Sequence, residues 1–246
     1  MTRVGLGARL AAVARYVPPG SMVADVGCGD GSLAVYLATV RRCRVIATEA
    51  SRAALALAAR RAATCGAVLE LRYGRGLGPL RPGEAGIIII AGMGGIAISR
   101  VLGGRPSGIS PRYFVLQPAA RAAYLRCWLY ARGWKVLDED LVREGKRFYE
   151  ILVARPENGE TAAKRPAGQG EAPLAQGEVG RVLWEKRHPL LRPFLEQKIA
   201  GYRAVLAQAE KGAGPRAAAA RARAAAVLTE LEALAATCDG GTRGPR

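Results

Sequence analysis

Residues 23–33 read VADVGCGDGSL, and residues 90–95 read IAGMGG. The first stretch has the pattern of a short apolar strand ending in Asp25, then glycines at 27, 29 and 31, then a helical segment. Glycine lets the chain turn sharply and lets a ligand come close to the backbone. The helix N-terminus that follows offers N–H groups and a partial positive charge. In dinucleotide-binding folds this spot takes a pyrophosphate. The spacing here is D-x-G-x-G-x-G, however, and G-x-G-x-x-G would need a glycine where Ser32 stands. Glu49 ends the next strand, about 20 residues on, where an acid accepts hydrogen bonds from ribose hydroxyls.

The rest of the chain repeats the strand–helix alternation. Strand-like runs fall at 22–26, 44–48, 68–72, 87–90, 113–117, 134–141 and 148–154, with helical patterns at 32–40, 51–64 and 119–132 among those between them. Strands separated by helices imply crossover connections and a mostly parallel sheet. The unbroken apolar run at 87–90 suits a central strand buried on both faces. Only REGK (143–146) separates the last two runs, too short for a crossover, so they form an antiparallel hairpin. The expected fold is α/β: a seven-stranded, mostly parallel, Rossmann-like sheet of the class I methyltransferase type, with a C-terminal α-helical hairpin.

Three segments are expected: a cofactor-binding domain at 1–155, a Gly-, Pro- and Glu-rich linker or mobile loop at 156–178, and a helical hairpin with a tail at 179–246. In the last, Leu191, Phe194, Leu195, Ile199, Tyr202, Val205 and Leu206 make one apolar stripe at spacings of three and four. KGAGP (211–215) breaks the helix, and the next carries Val227, Leu228, Leu231 and Leu234 as its buried edge.

A glycine turn headed by an acid is the variant that methyltransferases use for S-adenosylmethionine, whose amino-acid end carries an ammonium. Asp25 and Asp30 suit that ammonium. The expected cofactor residues are Asp25, Gly27, Cys28, Gly29, Gly31, Glu49, Ala50, Gly74, Arg75, Gly76, Ala91, Gly92, Met93 and Gly94. AGMGG lies at the carboxyl end of the fourth strand, where ligands of open parallel sheets sit, and its glycines keep the wall low for a flat acceptor. An unliganded tight turn and a nicotinamide cofactor are the competing readings.

IIIIAGMGG (87–95), FVLQP (114–118), LRCWLYARGW (125–134) and DLVREGKRFYEILVA (140–154) together resemble the bacterial tRNA N1-adenine methyltransferases that modify adenine 22. The likeness runs from about Arg9 to Ala154 and continues weakly into HPLLRPFLEQKIAGYRAVLAQ (188–208), similar to the first helix of that family's coiled coil. The resemblance implies methylation of adenine N1 in tRNA, with the hairpin helping to hold the RNA. Three places depart from the family pattern. Gly29-Asp30 stands for Asp-His, Arg75 for the Asp of Gly-Asp-Gly, and Ala119 for the Asn of Gln-Pro-Asn. Asp30 is the candidate carboxylate near the target base, and Gln117 the candidate for its edge. The plainer alternatives are that Asp30 caps a helix and Gln117 pairs with backbone.

Composition fits an RNA partner. The chain has 37 Lys and Arg against 20 Asp and Glu, a net charge of +17, a field that draws polyanions. Lys186, Arg187, Arg192, Lys198 and Arg203 are the expected RNA contacts of the hairpin. Trp128 and Trp134 read as core, and Trp184 as core or a stacking platform. The five cysteines lack CxxC spacing and the single histidine, His188, precedes a proline, so neither a metal site nor a hydrolase triad is expected. With no secretion signal or membrane span, a cytoplasmic protein is expected; the sequence leaves the oligomeric state open, with a monomer favoured. A binding-only relative and a small-molecule methyltransferase are the alternative functions.

Overall fold

The computed structural model describes residues 4–157, 177–209 and 214–239. The chain divides into two compact units, Met1–Glu171 and Ala172–Arg246. Most of the expected linker, 158–176, lies outside the described residues.

The first unit holds α1 (Ala8–Arg15), β1 (Met22–Val26), α2 (Ser32–Thr39), β2 (Arg44–Glu49), α3 (Arg52–Cys65), β3 (Leu69–Tyr73), β4 (Ile87–Ala91), α4 (Gly95–Gly103), β5 (Tyr113–Gln117), α5 (Ala122–Ala131), β6 (Trp134–Glu144) and β7 (Arg147–Pro156). They form one seven-stranded sheet in the order β3-β2-β1-β4-β5-β7-β6, in which β7 alone runs opposite to the other six strands. The run of isoleucines has the predicted burial. Ile88 and Ile90 join the core beneath α4 and α5, while Ile87 and Ile89 join the core beneath α1, α2 and α3. Trp134 lies in the first of these cores with its ring 5.2 Å from that of Phe114, and Trp128 packs against it.

Two boundaries, the start of α5 and the end of β6, differ from expectation by more than two residues. Helix α5 starts at Ala122, not at 119, because the preceding residues continue the pairing with the β4 exit: Ala119 N–H donates to Met93 O and Gly95 N–H to Ala120 O, both at 2.8 Å. The hairpin strands run to Glu144 and Arg147 and leave a two-residue turn, with Gly145 at φ +61° in the place such turns give to glycine. Because β7 is antiparallel to β5, this turn and Tyr149 come to the carboxyl-end side of the sheet.

A buried ion network fastens α5 to that hairpin. Arg126, wholly inaccessible, donates from Nε to Glu139 Oε1 and from Nη2 to Glu150 Oε2, each at 2.7 Å.

The second unit contains α6 (Arg181–Glu185), α7 (Leu191–Ala209) and α8 (Pro215–Asp239). His188 links the first two: its N–H donates to Leu183 O, and its Nδ1 accepts from Leu190 N–H at 3.1 Å. Helices α7 and α8 run antiparallel, with Arg221 reaching Ala209 O near the break and Arg203 bonded to Glu232 further along. Leu191, Phe194, Leu195 and Ile199 are buried as the stripe requires, with Ala224, Val227 and Leu231 on the partner helix. Val205 departs from the stripe and is 54% exposed, because the packed face ends before the last turns of α7.

Removing one member of a buried charge network leaves the others uncompensated, at a cost of about 3–5 kcal/mol. Arg126→Met therefore lowers stability by that order, measurable as a lower denaturant midpoint of the methyltransferase-like unit by circular dichroism.

Candidate functional site

Strand order reverses between β1 and β4, and the crevice outside their carboxyl ends is where such sheets bind ligands. The first glycine turn is clamped over β2. Gly27 and Cys28 N–H both donate to Thr48 O, at 2.8 and 3.0 Å, and Gly29 N–H donates to Glu49 Oε2 at 3.0 Å. The other Glu49 oxygen accepts from Ala50 and Ser51 N–H. Glu49 thus sits at the β2 end with its carboxylate against the turn.

The second glycine turn meets the first through one side chain. Gly27 has φ +76°, and a Cβ there would strike Cε of Met93, so the methionine lies directly on the turn. A Cβ at Gly95 would strike Arg121 O, which fixes that glycine by close packing. At Gly29 and Gly94 a Cβ would meet nothing within 4 Å. These two positions form the open lip of the crevice.

Asp25 lies beneath the lip at 3% exposure, and its Oδ2 has no hydrogen-bond partner. Burial, followed by repulsion from Glu49 and Asp30, pushes its carboxyl up to about 7. Cys28 is driven up to about 12 by burial and then by Asp25 and Glu49, so it stays a thiol and lacks a nucleophile's character.

The two candidate catalytic side chains, Asp30 and Gln117, both have partners within the chain. Asp30 Oδ1 accepts from Ser32 N–H and Oγ–H at 3.1 and 2.7 Å, and Oδ2 pairs with Arg61 of α3 at 2.6 Å. The hydrogen bonds of Ser32 and the Arg61 charge outweigh partial burial and hold its carboxyl below the ordinary value. Gln117 is wholly buried, with Nε2 donating to Pro118 O at 2.8 Å and Oε1 accepting from Arg9 Nη1 at 2.6 Å. Arg9, on α1, was not among the expected site residues. Its guanidinium lies 5.6 Å from the Tyr149 ring centroid and 3.7 Å from where a Cβ of Gly92 would stand. A single arginine in a basic helix carries no local signal of this.

The turn at Gly74, Arg75 and Gly76 follows β3, where Gly74 N–H donates to Glu49 O at 3.0 Å. Arg75 is exposed, and Arg52 stacks 4.2 Å over the neighbouring Tyr73 ring. In the helical unit, Lys198 pairs with Glu178, Arg203 with Glu232 and Arg192 with Glu196, while Lys186 and Arg187 are exposed. Among the described residues, no group of three or more His, Cys, Asp or Glu side chains is placed to hold a metal ion.

A parallel sheet with this strand order, a D-x-G-x-G-x-G turn and an acid at the next strand end define a methyltransferase domain, and a family model of that description matches residues 6–152. The tRNA (adenine(22)-N(1))-methyltransferase of Bacillus subtilis is 31% identical over 193 residues, 76% of this chain and 81% of that protein. The crystal structure of the B. subtilis M1A22 tRNA methyltransferase TrmK superposes with a TM-score of 0.77 at 26% identity, covering 95% of this chain and 100% of that one. A putative tRNA (m1A22) methyltransferase of Streptococcus pneumoniae, solved in complex with S-adenosyl-L-methionine, shares the fold at 23% identity and a TM-score of 0.73, covering 94% of this chain and 100% of that one. The chain belongs to the tRNA (adenine(22)-N(1))-methyltransferase family.

The raised carboxyl of Asp25 makes a pH prediction. A carboxyl whose folded pKa exceeds its unfolded value of 3.8 favours the folded state fully below that pH and loses this contribution as pH rises through about 7. The stability of the ligand-free wild type therefore falls relative to Asp25→Asn between about pH 4 and 7 and levels off above, as urea titrations across that range would record.

Proposed function

We propose that this chain methylates N1 of adenine 22 in tRNA, with S-adenosylmethionine as donor. The observation that carries this reading is the pairing of two glycine turns across the β1–β4 crevice with an unpartnered, buried carboxylate beneath them. The orphaned Oδ2 of Asp25 calls for a cationic or hydrogen-bonding partner, and the cofactor's ammonium is one. Gly29 and Gly94 leave the space above it clear. Glu49 stands where a carboxylate takes the ribose hydroxyls, and its Oε2, which accepts one N–H from Gly29, has a second lone pair for them.

Bound S-adenosylmethionine supplies a methyl group on a positively charged sulfur. The protein's part is to hold the acceptor in line with it. Adenine N1 attacks through its own lone pair, so positioning supplies most of the rate and no base is needed for the attack. Gly92, Met93 and Gly94 form the wall along which the adenine enters. In this reading Asp30 braces the turn through Ser32 and Arg61 and is not a base; the product forms as the N1-methylated cation, and any proton it loses from its exocyclic nitrogen goes to solvent. Arg75 cannot accept the cofactor's exocyclic amine, which falls to backbone carbonyls or water.

The helical unit binds the RNA, with Arg187 as its foremost phosphate contact and Lys198 the weakest because Glu178 already pairs with it at 2.6 Å. Among the described residues no helix is long and apolar enough to cross a membrane, in keeping with a cytoplasmic tRNA enzyme.

Incubation of the full chain with labelled S-adenosylmethionine and unmodified bacterial tRNA, followed by nucleoside mass spectrometry, is expected to yield 1-methyladenosine at position 22. Binding of both partners without product would instead mark a binding-only relative. Glu49→Ala is expected to weaken cofactor binding by about 1.5–3 kcal/mol in calorimetry, the worth of hydrogen bonds to a charged group. Arg187→Ala is expected to reduce the slope of log K against log salt for tRNA by about one, with Lys198→Ala nearly unchanged.

A further inference from the structure

We propose that Arg9 is the anchor for the carboxylate of the cofactor's amino-acid end, with Gln117 as the residue that positions it. The proposal rests on the S-adenosylmethionine reading and assigns a residue to the half of that zwitterion for which no cation had been identified.

Arg9 is a half-buried cation whose side-chain partners among the described residues, Gln117 and Tyr149, are neutral. Its Nη1 donates to the Gln117 amide oxygen at 2.6 Å, and its guanidinium lies over the Tyr149 ring. The nearby carboxylate of Glu144 accepts only from the Arg9 backbone N–H, at 3.4 Å. Among the described residues no acid pairs with the Arg9 side chain. A cation removed from water toward neutral partners favours any anion that reaches it.

The position selects which anion. Nη1 lies 3.7 Å from where a Cβ of Gly92 would stand, and Gly92 is the residue following β4. Asp25, the unpartnered acid, is at the end of β1 and pairs in register with Ile89 of the same β4. One uncompensated positive and one uncompensated negative group therefore flank the strand-order reversal. An α-amino acid carries the complementary pair, an ammonium for Asp25 and a carboxylate for Arg9. The Gln117 amide is buried and held by Pro118 O, so Arg9 is fixed at the level of the strand ends. A phosphodiester of folded tRNA, with backbone continuing on both sides, reaches that depth less readily than the free end of a small ligand. The fork of the guanidinium also suits a carboxylate, which takes two parallel N–H bonds.

The test compares two probes by calorimetry on the full chain: S-adenosylhomocysteine, which keeps the amino-acid end, and 5′-methylthioadenosine, which lacks it. Arg9→Gln is expected to lower S-adenosylhomocysteine affinity about 10- to 100-fold, in line with loss of charge-assisted bonds, and to leave 5′-methylthioadenosine affinity within about twofold. Arg9→Lys keeps the charge and is expected to recover part of the loss, and Gln117→Met to show the same selectivity more weakly. Equal loss of both probes would overturn the proposal in favour of a structural role. Unchanged affinity for both, with weakened tRNA binding, would overturn it in favour of a phosphate contact. A wild type that binds neither probe would overturn the cofactor reading itself.

Discussion

Strand β4 has helices on both sides, so each residue from Ile87 to Ile90 is buried, alternately on opposite faces. That burial holds it between β1 and β5 as the strand where the sheet's order reverses. Every other feature of the crevice depends on where β4 stops. Its exit must pass within contact distance of the β1 turn, and the only chain that can do so is nearly free of side chains. Met93 is the exception. Its terminal methyl rests on Gly27 and sets the spacing between the two turns.

The charges follow from the same geometry. Asp25 sits at the end of a strand that must be buried on both faces, so its carboxylate loses water without gaining a partner for Oδ2. Glu49, one strand further from the reversal, gains three backbone N–H donors and holds the turn down. Two acids of similar sequence setting, each at a strand end, therefore differ in what they can offer a ligand. In the proposed reading Asp25 takes the ligand's cation, and Glu49, already anchored, adds hydrogen bonds from a fixed position.

The departures from the family pattern are easier to judge with these positions in view. Asp30 has both oxygens engaged, one by Ser32 at the start of α2 and the other by Arg61 of α3. In the proposed reaction the adenine nitrogen attacks through its own lone pair, so that step makes no demand on Asp30 as a base. Gly95 and Ala120 pair through backbone groups, so Ala119 and its neighbours serve the β4 exit whatever their side chains.

The sequence by itself determined the sheet, its parallel character, the antiparallel hairpin, the two glycine turns and the helical pair. Each of these is written in a local period or a local spacing: Ile87 to Ile90 without interruption, glycine at 27, 29 and 31, leucines at three and four. What only the tertiary structure decided is where polar side chains point. Asp30 lies in the expected turn and Gln117 at the expected strand end, yet one faces Arg61, 31 residues away, and the other Arg9, 108 residues away. The same holds for the helical unit, where Lys198 is drawn to Glu178 and Arg203 to Glu232. Hydrophobic burial repeats with the backbone and so can be read along the chain. A hydrogen bond between distant side chains depends on two segments meeting, and nothing in either segment records the meeting.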